Sequence, residues 1–285
     1  MEVIRTAVAF RGLTDGWREA GATVGLVPTM GSLHLGHVAL IRRARAIADE
    51  VAVSIFVNPR QFEDPADLAR YPRDEPADLA VCEREGVGAV WAPPDDEVYP
   101  PGLELPVPDP GPVGATFEGA ARPAHLEGVL TVVHRLFDVA GPCRACFGNK
   151  DAQQLFLVRR MVRDLLLPVE IEAVATVREP DGLAVSSRNV RLSDEERAQA
   201  GCLFLALSEA AALARAGERD ASVLIATMAR EIGATPLASL DYASVVDEQT
   251  FEPVRTLEGP ARALVAARFP HARLLDNLPL PEPDP

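Results

Sequence analysis

Short β-branched apolar runs alternate with segments of helical periodicity through the first 175 residues. Residues 23–27 and 51–57 are β-rich apolar runs that suit buried strands, and residues 88–91, 144–148 and 169–175 read as further strands. Residues 6–20, 35–49, about 76–85, 125–140 and 151–165 repeat their apolar positions at helical spacing, although Gly12 and Gly16 weaken the first. A polar loop is expected from Asn58 to Arg73. Prolines dominate residues 92–114, which read as extended loop with one edge strand.

The pattern changes after Ala175. Pro180-Asp181-Gly182 marks a turn or hairpin within residues 176–185. Ser193-Asp194-Glu195-Glu196 is a capping box that predicts a long alanine-rich helix. A helix over residues 221–232 and strands over 240–246, 262–267 and 272–276 follow, with 280–285 as a loose tail. Strands alternating with helices predict an α/β fold. The expectation is a Rossmann-like parallel-sheet domain over residues 1–175, with ligand at the carboxyl ends of its strands, and a smaller C-terminal α+β domain over 176–285.

Composition narrows the function. The net charge is −14 and the pI about 4.8, which argues against a general grip on nucleic acid. No run of 18 apolar residues occurs, and the first ten residues lack the basic start and apolar stretch of a signal peptide, so a cytoplasmic protein is expected. Cys143 and Cys146 form a C-x2-C pair, yet no second pair or nearby histidine completes a zinc site. They read as ordinary buried thiols. Of the 28 basic residues a single one, Lys150, is lysine. A chain that otherwise uses arginine keeps an ammonium where a compact, mobile charge is useful, or by chance under a codon bias.

Candidate chemistry gathers first in residues 23–45. A strand ends at Pro28-Thr29-Met30-Gly31, and His34-Leu35-Gly36-His37 opens a helix whose apolar positions are Val38, Leu40, Ile41, Ala44 and Ile47. A helix N-terminus favours phosphate through its unpaired N–H groups. Two of the five histidines fall in this first turn, on roughly one face.

The blocks around this stretch resemble those of the pantothenate synthetase family, within the HIGH-motif nucleotidyltransferase superfamily. PTMGSLHLGH, FVNPRQF (56–62), YPR (71–73), FGNKDAQQ (147–154), VR with DGLAVSSRN (177–189) and LLDN (274–277) occur in family order. The resemblance implies ATP-dependent joining of pantoate to β-alanine. Pantoate's carboxylate attacks the α-phosphate of ATP, and the β-alanine amine then displaces AMP from the pantoyl adenylate. It implies that His34, His37, Lys150 and Arg188 stabilise the phosphates during the reaction. It lines the ATP site with Met30, Gly31, Ser32, Leu33, His34, Leu35, Gly36 and His37, with Gly148, Asn149, Lys150 and Asp151, and with Val177, Val185, Ser186, Ser187 and Arg188. Gln61 and Gln154 would hold pantoate, and Arg122 and His125 would line the phosphate or amine side. Mg2+ and a homodimer are implied as well; no metal ligand is assigned.

Several positions depart from the family pattern. Leu35 stands for the common glutamate, Asn149 for glutamate and Val185 for methionine, and Glu63-Asp64-Pro65 is stiffer and more acidic than the usual glycine-rich loop. Ala77 falls near acidic positions of some members, with Asp78 left. None removes a group that the chemistry requires. Two other readings compete: a nucleotidyltransferase of the same superfamily that leaves AMP on its product, and a non-catalytic paralogue. Retention of both histidines, Lys150 and Ser186-Ser187-Arg188 argues against the second.

Overall fold

The computed structural model describes residues 1–62 and 65–281. The Glu63-Asp64 part of the acidic loop and residues 282–285 of the expected tail lie outside the described residues. Contacts divide the chain into two compact units, residues 1–149 with 153–175, and residues 150–152 with 176–285.

The first unit is a parallel six-stranded sheet. Its strands are β1 (Glu2–Ile4), β2 (Val24–Thr29), β3 (Glu50–Ile55), β4 (Ala89–Trp91), β5 (Cys143–Gly148) and β6 (Val169–Val174), in the order β1-β4-β3-β2-β5-β6. Alternation along the strands feeds two cores. Val27, Val53, Val90 and Cys146 pack with Leu40, Ile41, Ala44 and Cys82 from helices Leu35–Ile47 and Glu75–Arg84. The neighbouring positions face other helices. Trp91 stacks on Phe10 of helix Ala7–Glu19 with ring centroids 5.0 Å apart, and Phe147 meets Phe137 of helix His125–Ala140 edge-on.

Strand order reverses beside β2. The chain runs outward from β2 through β3 to β4, and β5 then pairs on the other side of β2. Gly25 pairs with Arg144 and Leu26 with Ala145, so the strand ends, Thr29 and Gly148, come level. Such a switch point opens a crevice at the carboxyl ends of the two strands. The loop that enters it is the histidine turn.

Some elements differ from expectation. β2 runs through Pro28 rather than ending there. The bonded part of the β2–β5 ladder covers only Gly25 and Leu26, so the N–H that proline lacks is not needed there. β1 has no counterpart in the sequence reading; three residues at an edge carry too little periodicity to read. The expected loop before Arg73 contains the single turn Pro59–Gln61 and helix Pro65–Arg70, each begun by a proline suited to a first helical position. No edge strand forms between 92 and 114 among the described residues; the segment instead holds short helical turns at Asp95–Val98 and Pro112–Ala115. Cys143 and Cys146 are buried, and burial pushes both thiols up to about 12.

The second unit packs helices Cys202–Arg215 and Ala221–Gly233 on an antiparallel sheet of β7 (Ser239–Asp247), β8 (Ala261–Arg268) and β9 (Arg273–Leu280). Leu203, Leu207, Leu224, Met228, Val265 and Leu274 form its core. The long helix expected from Ser193 is two helices, Asp194–Gln199 and Cys202–Arg215. They part at Gly201, where a Cβ would stand 3.1 Å from the Asp181 carbonyl oxygen. Leu280 belongs to β9 and is buried, so the tail begins later than expected.

Candidate active site

In the first unit the histidine turn is held by its own side chains. His34 is the N-cap of helix Leu35–Ile47. Its Nδ1 accepts from the Gly36 N–H at 3.1 Å, and His37 Nδ1 accepts from the His34 N–H at 3.2 Å. This is a capping box built from two imidazoles, whose rings lie 4.1 Å apart. A backbone N–H can only donate, so both Nδ1 atoms carry lone pairs and the ring protons sit on Nε2. Both histidines therefore offer Nε2–H as their donor. A Cβ on Gly36 would come within 2.9 Å of the His34 ring, so the glycine is required by the cap itself.

The preceding turn is fixed from the neighbouring helix. Gly31 and Ser32 are both left-handed, at φ 78 and 53. Asp78 is buried at 3 % exposure and accepts the N–H groups of Ser32 at 2.9 Å and Leu33 at 2.7 Å. A Cβ on Gly31 would stand 2.7 Å from Asp78 Oδ2. Sequence reasoning leaves Asp78 without a role. The available signal is an acidic residue one helical turn from Cys82 on the apolar face of its helix.

Gln61 reaches this turn from the loop after β3, with Nε2 2.8 Å from Met30 Sδ. Its backbone carbonyl accepts from His125 Nδ1 at 2.9 Å and from Arg122 Nη2 at 3.2 Å. Gly128 lets helix His125–Ala140 approach: a Cβ there would stand 2.4 Å from the Arg60 carbonyl oxygen. Gly148 and Asn149 follow β5 at the switch point, ahead of the adjacent glutamines 153 and 154. Gln153 is buried; it donates to the Val113 and Thr116 carbonyls at 2.7 and 2.9 Å and accepts the Glu118 N–H at 3.0 Å. Gln154 is half-buried. The first glutamine thus anchors the 113–118 segment.

The second unit gathers the remaining predicted residues. Lys150, Ser186, Arg188 and Asn189 line a pocket with Leu183 and Arg273. The Lys150 carbonyl accepts from Asn277 Nδ2 at 2.8 Å, and Nζ lies 3.6 Å from Asp151 Oδ1. The predicted hairpin forms, with Val185 N–H donating to the Val177 carbonyl at 2.9 Å and Arg178 bridging Ala184. Arg178 binds Asp276 through both nitrogens and donates to the Gly182 carbonyl at 3.0 Å. Burial pushes the Asp276 carboxyl up, against the pull of Arg178. Asp276 also accepts the Asn277 N–H at 2.8 Å, so the LLDN block ties the hairpin to the Lys150 turn. Ser186 Oγ accepts the Arg188 N–H at 3.3 Å. Sequence reasoning misses Arg273, which pairs with Asp241 at 2.6 Å and brings a further cation to this pocket.

The chain matches the pantoate-beta-alanine ligase family over residues 2–279. It belongs to that family. A pantothenate synthetase of Roseiflexus sp. strain RS-1 is 53% identical over 255 residues, 90% of this chain and 91% of that relative. A pantothenate synthetase structure from Thermus thermophilus superposes with a TM-score of 0.91 at 44% identity, covering 98% of this chain and 99% of the other. A pantoate-beta-alanine ligase from Francisella tularensis, complexed with beta-gamma ATP and beta-alanine, gives a TM-score of 0.78 at 29% identity over 98% and 97% of the two chains. Membership in this ligase family accounts for the conjunction of a histidine-capped helix with the FVNPRQF and SSRN blocks.

Among the described residues no three His, Cys, Asp or Glu side chains group to hold a metal ion, and Asp78 is committed to two backbone N–H groups. None of the described helices is long and apolar enough to cross a membrane.

Proposed function

We propose that this chain condenses pantoate with β-alanine at the expense of ATP, releasing AMP and pyrophosphate through a pantoyl adenylate. The observation that carries this reading is the histidine turn at the switch point, with two Nε2–H donors on a helix N-terminus, in a chain of the ligase family. A carboxylate is already ionised at neutral pH, so the first step needs no base. It needs in-line placement and neutralisation of charge on the phosphates.

His34 and His37 donate to phosphate oxygens from Nε2 at the N-terminus of helix Leu35–Ile47, in the turn that Met30 to His37 form. Lys150 and Arg188 add charge, and the Ser186 and Ser187 hydroxyls add donors. Gly148, Asn149, Asp151, Val177 and Val185 line the nucleotide. Gln61 and Gln154 hold pantoate through neutral amides, which bury no extra charge beside its carboxylate. The β-alanine amine then attacks the acyl carbon, AMP leaves with the bond electrons, and the amine loses its proton.

Magnesium would enter with the nucleotide substrate, held by phosphate oxygens and water, so that the protein need supply few ligands, and it would add positive charge to the phosphates. The same reading puts the protein in the cytoplasm with the ATP pool, as a homodimer whose mass light scattering would measure.

The test is AMP formation by the purified protein with Mg–ATP, pantoate and β-alanine. AMP release that depends on β-alanine is the expected result. Absence of AMP, or steady AMP release without β-alanine, would overturn the proposal.

A further inference from the structure

Gln61 does not stand alone in its loop. Asn58, 1 % exposed, accepts at Oδ1 from the Tyr99 hydroxyl at 2.7 Å and from the Arg60 N–H at 3.2 Å. Its Nδ2 donates to the Gly128 carbonyl at 3.0 Å and to Gln61 Oε1 at 3.1 Å. Each assignment is forced. The Arg60 N–H can only donate and the Gly128 carbonyl can only accept, so the Asn58 amide has one orientation. Tyr99 is half-buried against Phe56 and the Arg60 guanidinium, and burial pushes its hydroxyl up to about 12, which keeps it a donor. The fixed Asn58 amide then takes Gln61 Oε1 as its acceptor and so sets Gln61 Nε2 on the other side, next to Met30 Sδ.

We propose that Tyr99 and Asn58 form a positioning pair, in which the Tyr99 hydroxyl adds the third bond that holds the Asn58 amide and Asn58 sets the Gln61 amide with its N–H towards the substrate. Gln61 then selects an oxygen acceptor on the hydroxy acid and rejects a group that could only donate. This rests on the reading of Gln61 as a pantoate contact and adds its polarity and its cause. Met30 Sδ, 2.8 Å from Nε2, is a weak acceptor that a substrate oxygen readily outcompetes.

The test compares Michaelis constants for pantoate and ATP in Tyr99→Phe, Asn58→Asp and Gln61→Glu, with thermal melts to establish folding. Tyr99→Phe keeps the ring contacts and loses one fixing bond, so KM for pantoate rises about tenfold, the size of one such bond, while KM for ATP stays within about twofold. Asn58→Asp cannot donate to Oε1 and lets Gln61 turn over, raising KM for pantoate about 100-fold or more. Gln61→Glu replaces the donor with an acceptor and does the same. If Gln61→Glu leaves KM for pantoate unchanged, the pantoate assignment of Gln61 falls and the lock falls with it. If Gln61→Glu loses pantoate but folded Tyr99→Phe and Asn58→Asp do not, or if pantoate and ATP constants rise together in Tyr99→Phe, the lock alone is overturned.

Discussion

Removing the Asp78 carboxylate should disable the histidine turn from a position that touches no histidine. Asp78 accepts two N–H groups, at 2.9 and 2.7 Å, from a turn with left-handed φ at both Gly31 and Ser32. Hydrogen bonds to a charged group contribute about 1.5–3 kcal/mol each, and the left-handed region costs about 1–2 kcal/mol at a non-glycine such as Ser32. Ser32 and Leu33 are half-buried, so water recovers part of the loss in Asp78→Ala. The net cost to the ordered turn should be about 2–4 kcal/mol. At the lower figure the ratio of ordered to disordered turn falls about 30-fold. His34 is the next residue, and its N–H is the one that orients His37. The kcat/KM for ATP, measured by pyrophosphate release, should therefore fall in Asp78→Ala, by up to about 30-fold at that cost. Asp78→Asn keeps one acceptor oxygen and should fall between the variant and the wild type. Normal kcat/KM in Asp78→Ala refutes the positioning role, whatever happens to the melting temperature.

Lys150→Ala and His37→Ala should each lower turnover by about 10²–10³ or more with an unchanged circular dichroism spectrum, since each removes a preorganised donor to developing phosphate charge; near-normal turnover in either would remove that residue from the chemistry. Gln153→Ala should lower the melting temperature by loosening the 113–118 segment, whereas Gln154→Ala should raise KM for pantoate and leave melting unchanged; the reverse pattern would exchange their roles. Glu196 carries a pH dependence. Burial raises its carboxyl, but the N–H groups of Ser193 and His271, the His271 ring and the Ser193 hydroxyl outweigh this and hold it at about 2. A depressed carboxyl stabilises the fold above its unfolded value of about 4.3, and the effect is lost as pH falls towards 2. Melting curves of wild type and Glu196→Gln should therefore differ near neutrality and converge in acid; a constant difference would exclude this linkage.

The strands and helices that carry the site are legible in the sequence because their apolar periodicity is strong. Helix His125–Ala140 has the bounds its periodicity predicts, and the antiparallel second sheet follows from three apolar runs. Tertiary contacts decide what periodicity cannot. Pro28 stays in β2 because the neighbouring ladder ends before it, and Gly201 splits a helix because the Asp181 carbonyl passes close by. The histidines and Lys150 stand out as rare residue types, and the Ser-Ser-Arg turn stands out only through the family resemblance. Asp78, Asn58, Gln153 and Tyr99 do not, because nothing in their local sequence shows that backbone groups distant along the chain are their partners.

Those four residues share one physical task. A group that must meet a substrate cannot also be fixed by the substrate before it arrives, so something else has to fix it. Here buried polar side chains hold backbone or amide groups next to the groups that face the ligand. Asp78 holds the turn ahead of His34, and the Nδ1 atoms of His34 and His37 hold the N–H groups of Gly36 and His34, so that each ring's donor is Nε2–H. Asn58 holds Gln61, Gln153 holds the segment beside Gln154, and in the second unit Asn277 holds the Lys150 carbonyl. Preorganisation of this kind lowers the reorganisation that accompanies charge development on the phosphates.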